Sequence, residues 1–108
     1  MVKAKYTVED KTHTLVVLGH AGYDEYGKDI VCAGVSALVQ ALIGWIEENY
    51  YKAVCISIDP KEGEVLICCE GGEELAAVFH MTAIGLEQMA DCYPDHVQID
   101  IIGLSDRQ

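Results

Sequence analysis

In the stretch GHAGYDEYGKDIVCAGVS, residues 19–36, His20 closes one apolar run and Cys32 opens another, with a polar, glycine-containing loop between them. An imidazole and a thiol brought together can cleave acyl bonds. The nucleophile in that chemistry is the thiolate, and a thiol of ordinary pKa, about 8.5, is only ~3% ionised at pH 7. Lowering such a pKa by ~2 units takes ~2.7 kcal/mol of preferential stabilisation of the anion. A helix N-terminus supplies ~0.3–1 kcal/mol, and ~2 in the best geometry. The dipole alone falls short. An imidazolium makes up the difference and later returns its proton to the leaving amine. His20 is the histidine of this chain positioned for that role.

The neighbours of Cys32 fit the same chemistry. Asp29 is placed to cap a helix that puts Cys32 in its first turn, where unpaired N–H groups around Ile30 to Cys32 can receive an oxyanion. Ser36 lies one turn further on the same face, so its hydroxyl can bond a substrate or orient the thiol. Asp29 can also orient His20 as the third member of a triad. Each residue has a purely structural reading as well. Cys32 fits as a small core residue, His20 as a strand-end histidine bonded to backbone, Asp29 as a plain cap, and Ser36 as a hydroxyl bonded to its own helix.

Other groupings carry less chemistry. Cys68 and Cys69 are adjacent in a strand-like run, so they point to opposite faces and cannot easily share a metal. No Cys-x-x-Cys occurs, and His20 and Cys32 with Asp24 or Asp29 lack zinc-site spacing, so no metal and no cofactor is expected. Cys55 and Cys92 read as packing residues and His80 as structural. A glycine-rich phosphate loop and a G-x-S-x-G elbow are both missing.

The elements that must hold the pair follow from periodicity. Residues 2–8 alternate, with Val2, Ala4, Tyr6 and Val8 on one face, as in a half-buried strand. EDKT at 9–12 supplies a turn, and 13–19 forms a second strand whose Leu15 to Leu18 are apolar on both faces, as in a sheet interior. After the loop at 21–29, a helix runs to about Tyr51 with Val35, Leu38, Leu42, Trp45 and Ile46 as its stripe, widened by Val39 and Ile43. Strands at 53–59 and 64–69 flank a turn at Pro60–Gly63. A second helix at 71–93 carries Leu75, Val78, Phe79, Thr82, Leu86, Met89 and Tyr93 on one face and Ala77, Met81 and Ile84 on a flank. Pro94 stops it before a last strand at 96–103. The order ββαββαβ predicts an α+β fold of two layers, both helices on one face of a mixed sheet. The helices carry more apolar surface than one sheet face needs, which favours self-association.

Composition sets limits on function. The 108 residues make one domain, 1–108, that can bury a core without staples. Eighteen acids against seven bases give a net charge of −11, which repels a phosphate backbone and attracts a basic partner. The N-terminus lacks the h-region of a secretory signal, and the apolar run Ile30–Ile46 is shorter than the ~20 residues a bilayer requires. Five cysteines cannot all pair, which points to free thiols in a reducing cytoplasm.

The block GHAG followed by GKDIVCAGVSAL resembles the ribosomal-processing cysteine protease family, Prp, and the resemblance extends over essentially the whole chain. It implies a cytoplasmic homodimer, while the charge and the short apolar run already argue against direct binding of nucleic acid and against a membrane. Its substrate would be a large-subunit ribosomal protein with a short N-terminal extension, cut after an aromatic residue. By matching, Cys32 is the nucleophile, His20 the general base and acid, and Asp29 and Ser36 are supporting residues. Gly19, Ala21, Gly22 and Gly27 would belong to a substrate loop, with the segment from Ala21 to Lys28 closing over the peptide. The competing function is a non-catalytic acidic dimer that chaperones a basic ribosomal protein. It explains the charge but not the placement of His20 and Cys32.

Overall fold

The computed structural model describes residues 1–25, 27–49 and 54–103. The elements follow in the order β1 (Val2–Glu9), β2 (Thr12–Leu18), α1 (Ile30–Asn49), β3 (Val54–Asp59), β4 (Glu64–Glu70), α2 (Glu73–Cys92) and β5 (Val97–Ile102). The expected positions of Tyr50 and Tyr51 in the first helix, and of Ala53 in the third strand, lie outside the described residues. The second helix starts at Glu73 because Gly72, with φ −92° and ψ −148°, is its N-cap.

The strands form one sheet in the order β3-β4-β2-β1-β5, antiparallel except for the β1–β5 pair. β2 is therefore the central strand, as expected, but of its apolar run only Leu15 and Val17 are buried; on its other face Val16 is half-buried and Leu18 is exposed. Register lines up Ile56, Ile67, Leu15, Tyr6 and Ile101 as one row across all five strands. The row lies on the face the helices cover, and Ile67, Leu15 and Tyr6 at its centre are fully buried.

α1 contributes Val31, Val35, Val39, Leu42, Ile43 and Ile46 to the core, and α2 contributes Leu75, Phe79, Thr82, Ala83 and Leu86. The two helices approach closely at small residues. A Cβ on Gly85 would stand 2.6 Å from Leu38 Cδ2, and one on Gly34 would stand 2.8 Å from Met89 Cε. Each glycine is thus the socket for a side chain of the other helix. By length and composition α1 also meets the requirement for crossing a bilayer, but its apolar stripe packs here against the sheet.

Two expectations are corrected. Cys55 and Cys92 are exposed rather than packed. Cys55 pairs with Cys68, not with buried Cys69, so strand alternation turns it to the sheet face opposite α1 and α2. Cys92 lies at the end of α2, beyond the last fully buried turn.

Candidate active site

β2 ends at Leu18, and the chain leaves it through Gly19, whose φ of +92° is left-handed backbone. A Cβ at this position would run into the Met1 carbonyl. The Gly19 N–H donates to the Gly63 carbonyl at 2.9 Å, which ties the strand exit to the β3–β4 turn. His20 follows, exposed, with its Nε2 3.3 Å from the Lys61 carbonyl oxygen of that turn. A carbonyl only accepts, so this bond assigns the proton of the neutral ring to Nε2 and leaves Nδ1 as the basic nitrogen. The ring lies against Gly63, where a Cβ would stand 3.0 Å from His20 Cε1.

Beyond His20 the loop is clasped at its base. Ala21 is buried, and its carbonyl accepts a hydrogen bond from His96 Nδ1 at 2.9 Å. The Tyr23 ring stands edge-on to Tyr93 and His96, with centroids 5.4 and 5.3 Å apart. Ala21 is therefore an anchor, and the exposed part of the loop begins at Gly22. Gly22 and Gly27 have φ of +66° and +86°, and neither has a neighbour within 4 Å of where a Cβ would be.

Asp29 caps α1. Its Oδ1 accepts the Cys32 N–H at 2.9 Å, while its Oδ2 accepts the N–H groups of Tyr23 at 2.9 Å and Asp24 at 3.3 Å. These backbone donors, that of Cys32 foremost, hold its carboxyl below the ordinary carboxylate range. One side chain thus starts the helix and folds the loop back onto it. The arrangement corrects the expectation that the Cys32 N–H is free for an oxyanion, since it is already bonded to a carboxylate. The hydrogen bonds of Asp29 run to main-chain amides and not to the His20 ring.

The two sides meet in a cleft of about 270 Å³. One wall is Cys32, Val35, Ser36, Val39 and Gln40 of α1, and the other is Gly19, His20 and the β3–β4 hairpin from Ile58 to Val65, with Val2 and Val17 below. Gly19, His20, Cys32 and Ser36 are thereby brought into one cavity, whereas Asp29, Ala21, Gly22 and Gly27 stand outside its lining. The floor is apolar through Val17, Val35, Val39 and Val65, and Asp59 and Glu64 give the hairpin side a negative rim. Among the described residues, no three His, Cys, Asp or Glu side chains are grouped to hold a metal ion.

Three contributors were not read from the sequence. The Lys61 carbonyl is backbone and carries no residue signal. His96 and Gly63 act through contacts distant in the chain; PKEG at 60–63 signalled a turn but not what the turn would touch.

The family of the cysteine protease Prp matches residues 1–98. The ribosomal processing cysteine protease Prp of Mycoplasma genitalium is 31% identical over 86 residues, spanning 80% of this chain and 85% of that protein. The crystal structure of Prp from S. aureus with a covalently linked product peptide superposes with a TM-score of 0.82 at 24% identity, covering 94% of this chain and 99% of that one. SMU.848 from Streptococcus mutans gives 0.77 at 26% identity, covering 94% of each chain. With the family matched over nearly its full length and the fold shared throughout, the chain belongs to the Prp family and is a cysteine protease.

Proposed function

We propose that the protein removes a short N-terminal extension from a large-subunit ribosomal protein, cutting after an aromatic residue. The observation that carries this reading is the cleft that joins Cys32 and His20 over an apolar floor with an acidic rim. The floor suits an apolar side chain of the substrate. The rim, on a chain of net charge −11, attracts the basic segments of a ribosomal protein. The relative from M. genitalium is named for ribosomal processing, and the S. aureus protein holds peptides as substrate and as covalently linked product.

In this mechanism Cys32 Sγ loses its proton to His20 Nδ1 and attacks the scissile carbonyl carbon. The tetrahedral intermediate collapses, and the leaving amine takes the proton back from His20, which leaves a thioester on Cys32. Water, deprotonated by His20, hydrolyses the thioester, and the thiol is restored. The Lys61 carbonyl orients the ring by holding Nε2–H. Ser36, one turn from Cys32 at the cleft edge, bonds the peptide. The oxyanion is received by amides at the start of α1 once Asp29 yields its hold there, and the loop from Gly22 to Lys28 closes over the peptide in the same movement.

Mass spectrometry of the N-terminally extended ribosomal protein, incubated with wild type and with Cys32→Ala, tests the reading. A discrete cut after an aromatic residue by wild type alone is expected. The same cut by the variant removes Cys32 as nucleophile.

The reading includes a homodimer acting in the cytoplasm. Supporting it, Met81 is 65% exposed, Ile84 46% and Ile30 60% on the helix layer. Between the helices, Leu38, Ala41, Trp45, Val78 and Met81 line a further apolar hollow. Sedimentation should give a dimer for wild type and a monomer for Met81→Glu; a monomeric wild type rejects the assembly.

A further inference from the structure

We propose that Cys55 and Cys68, on the sheet face opposite the active-site cleft, are a reversible dithiol–disulfide pair that clips the edge strand β3 to β4.

The two residues are directly opposed in the antiparallel β3–β4 ladder. Directly opposed residues in such a ladder have Cα atoms about 4.5–5.5 Å apart, within the ~4.4–6.8 Å span of disulfides. A bond between them therefore needs side-chain rotation and no backbone rearrangement. Both side chains lie on the sheet face opposite α1 and α2, with Cys55 exposed and Cys68 half-buried. Thr14, opposite Cys68 on β2, donates its hydroxyl to Cys68 Sγ at 3.5 Å and so keeps that sulfur on the open face. The neighbouring thiols do not compete. Cys69 is buried on the other face, and burial, with Cys68 beside it, pushes its thiol up, so it stays protonated. Cys32 lies on α1, across the sheet.

The position of the clip gives it a consequence. Among the described residues, β3 is an edge strand whose single strand neighbour is β4. The hairpin it makes with β4 carries the Lys61 carbonyl that bonds His20, as well as Asp59 and Glu64 of the cleft. A bond between Cys55 and Cys68 closes the base of that hairpin and pins its wall during oxidation. Exposed disulfides of this kind are reducible and suit a reversible role.

The co-reactant is a small-molecule disulfide, for which oxidised glutathione is the probe. The Cys55 thiolate attacks one sulfur of it, forming a mixed disulfide and releasing one glutathione thiolate. The Cys68 thiolate then attacks the Cys55 sulfur, forming the protein disulfide and releasing the second glutathione. Two protein thiols are oxidised, and one small disulfide is reduced to two thiols, which take up the two protons.

The test is oxidation of the Cys32→Ala/Cys92→Ser protein, in which the exposed Cys92 thiol is removed as well, with oxidised glutathione, followed by alkylation and non-reducing peptide mapping. Expected are a loss of two free thiols, a Cys55–Cys68 linked peptide identified by fragmentation, and full reversal by dithiothreitol. Cys68→Ser should instead hold one glutathione on Cys55. Amide exchange across β3 should slow on oxidation of the parent and not of Cys55→Ser. Separate glutathione adducts on Cys55 and Cys68, or a link between Cys55 residues of two molecules, would overturn the proposal.

Discussion

Two histidines stand at opposite ends of the central strand, and their surroundings have little in common. His13, near the start of β2, is buried; its Nδ1 lies 2.6 Å from the Tyr6 hydroxyl, and its ring stacks on Phe79 with centroids 5.1 Å apart. The ring of His80 stands edge-on at 6.4 Å. His20, just beyond the other end, is exposed and holds the Lys61 carbonyl at 3.3 Å. Burial and stacking commit the first ring to one position and to its neutral form, because desolvation and then the charge of His80 lower its pKa. The second ring keeps a nitrogen available over a cleft. In the mechanism we propose, the imidazole that accepts and returns a proton needs one fixed bond for direction and one nitrogen open to the cleft, and of these two rings the His20 ring fits that role.

The contrast breaks cleanly under substitution. His20→Ala should cost about 10²–10⁴ in kcat/KM on the extended ribosomal protein, with a melting temperature close to wild type. His13→Ala should do the reverse, losing about 3 kcal/mol of stability through a cavity in the aromatic stack. That is a fall of roughly 15 °C in Tm, with cleavage retained at 20 °C. Thermal melts beside steady-state kinetics on both variants check this. If His13→Ala abolishes cleavage while folded, or if His20→Ala unfolds the protein, the division of labour between the two ends is wrong.

A smaller effect sharpens the active-site end. Asp29 bonds the amides of Tyr23, Asp24 and Cys32, so it acts on the loop and the helix start rather than on the His20 ring. Asp29→Ala should lower Tm by a few degrees through loss of the cap, and Asp29→Asn should restore most of it, since asparagine caps equally well. Turnover of Asp29→Ala should fall far less than that of His20→Ala. An equal fall with the fold intact would return Asp29 to a triad role.

How much of this could be read along the chain depended on the range of the interaction. The strands and helices follow from periods of two and of three to four residues; the apolar run Leu15 to Leu18 marks β2 as an interior strand, although Leu18, on the face opposite the helices, is exposed. The capping position of Asp29 was legible too, because a cap acts three residues along the chain. The partner of the His20 ring was not, because it is a main-chain oxygen presented by a turn forty-one residues further on. The occupied Cys32 amide was missed because a capping carboxylate and an oxyanion seek the same donors, and residue types alone do not say which arrives first. Cys55 was misread for a different reason. An apolar-looking AVCISID run does not disclose which of its two faces the helices will cover.

The smallest effect belongs to the buried end and is a dependence on pH. The unfolded chain binds a proton at His13 near the ordinary pKa of 6.5, whereas the folded state, with its pKa lowered, does not. Between those two values the unfolded state holds the extra proton, so stability rises with pH there. The contribution is complete above about pH 6.5 and is lost as pH falls from there through the folded pKa, with a slope no steeper than about 1.4 kcal/mol per pH unit, the limit for one proton. Asp29 is lowered as well, but as an acid its contribution is lost only below the ordinary 3.8 and through its folded value, so it adds no slope between pH 7.5 and 4.5. The cavity beside His13 is also lined by Asp10, Lys11, Glu73 and His80, so the control must remove one proton site and little else. His13→Phe keeps an aromatic ring in the stack on Phe79. Urea unfolding from pH 7.5 to 4.5 should show the slope in wild type and a flatter profile in His13→Phe. An unchanged slope in the variant would mean that the buried histidine is not the group titrating, and that the two ends of β2 differ less in protonation than in exposure.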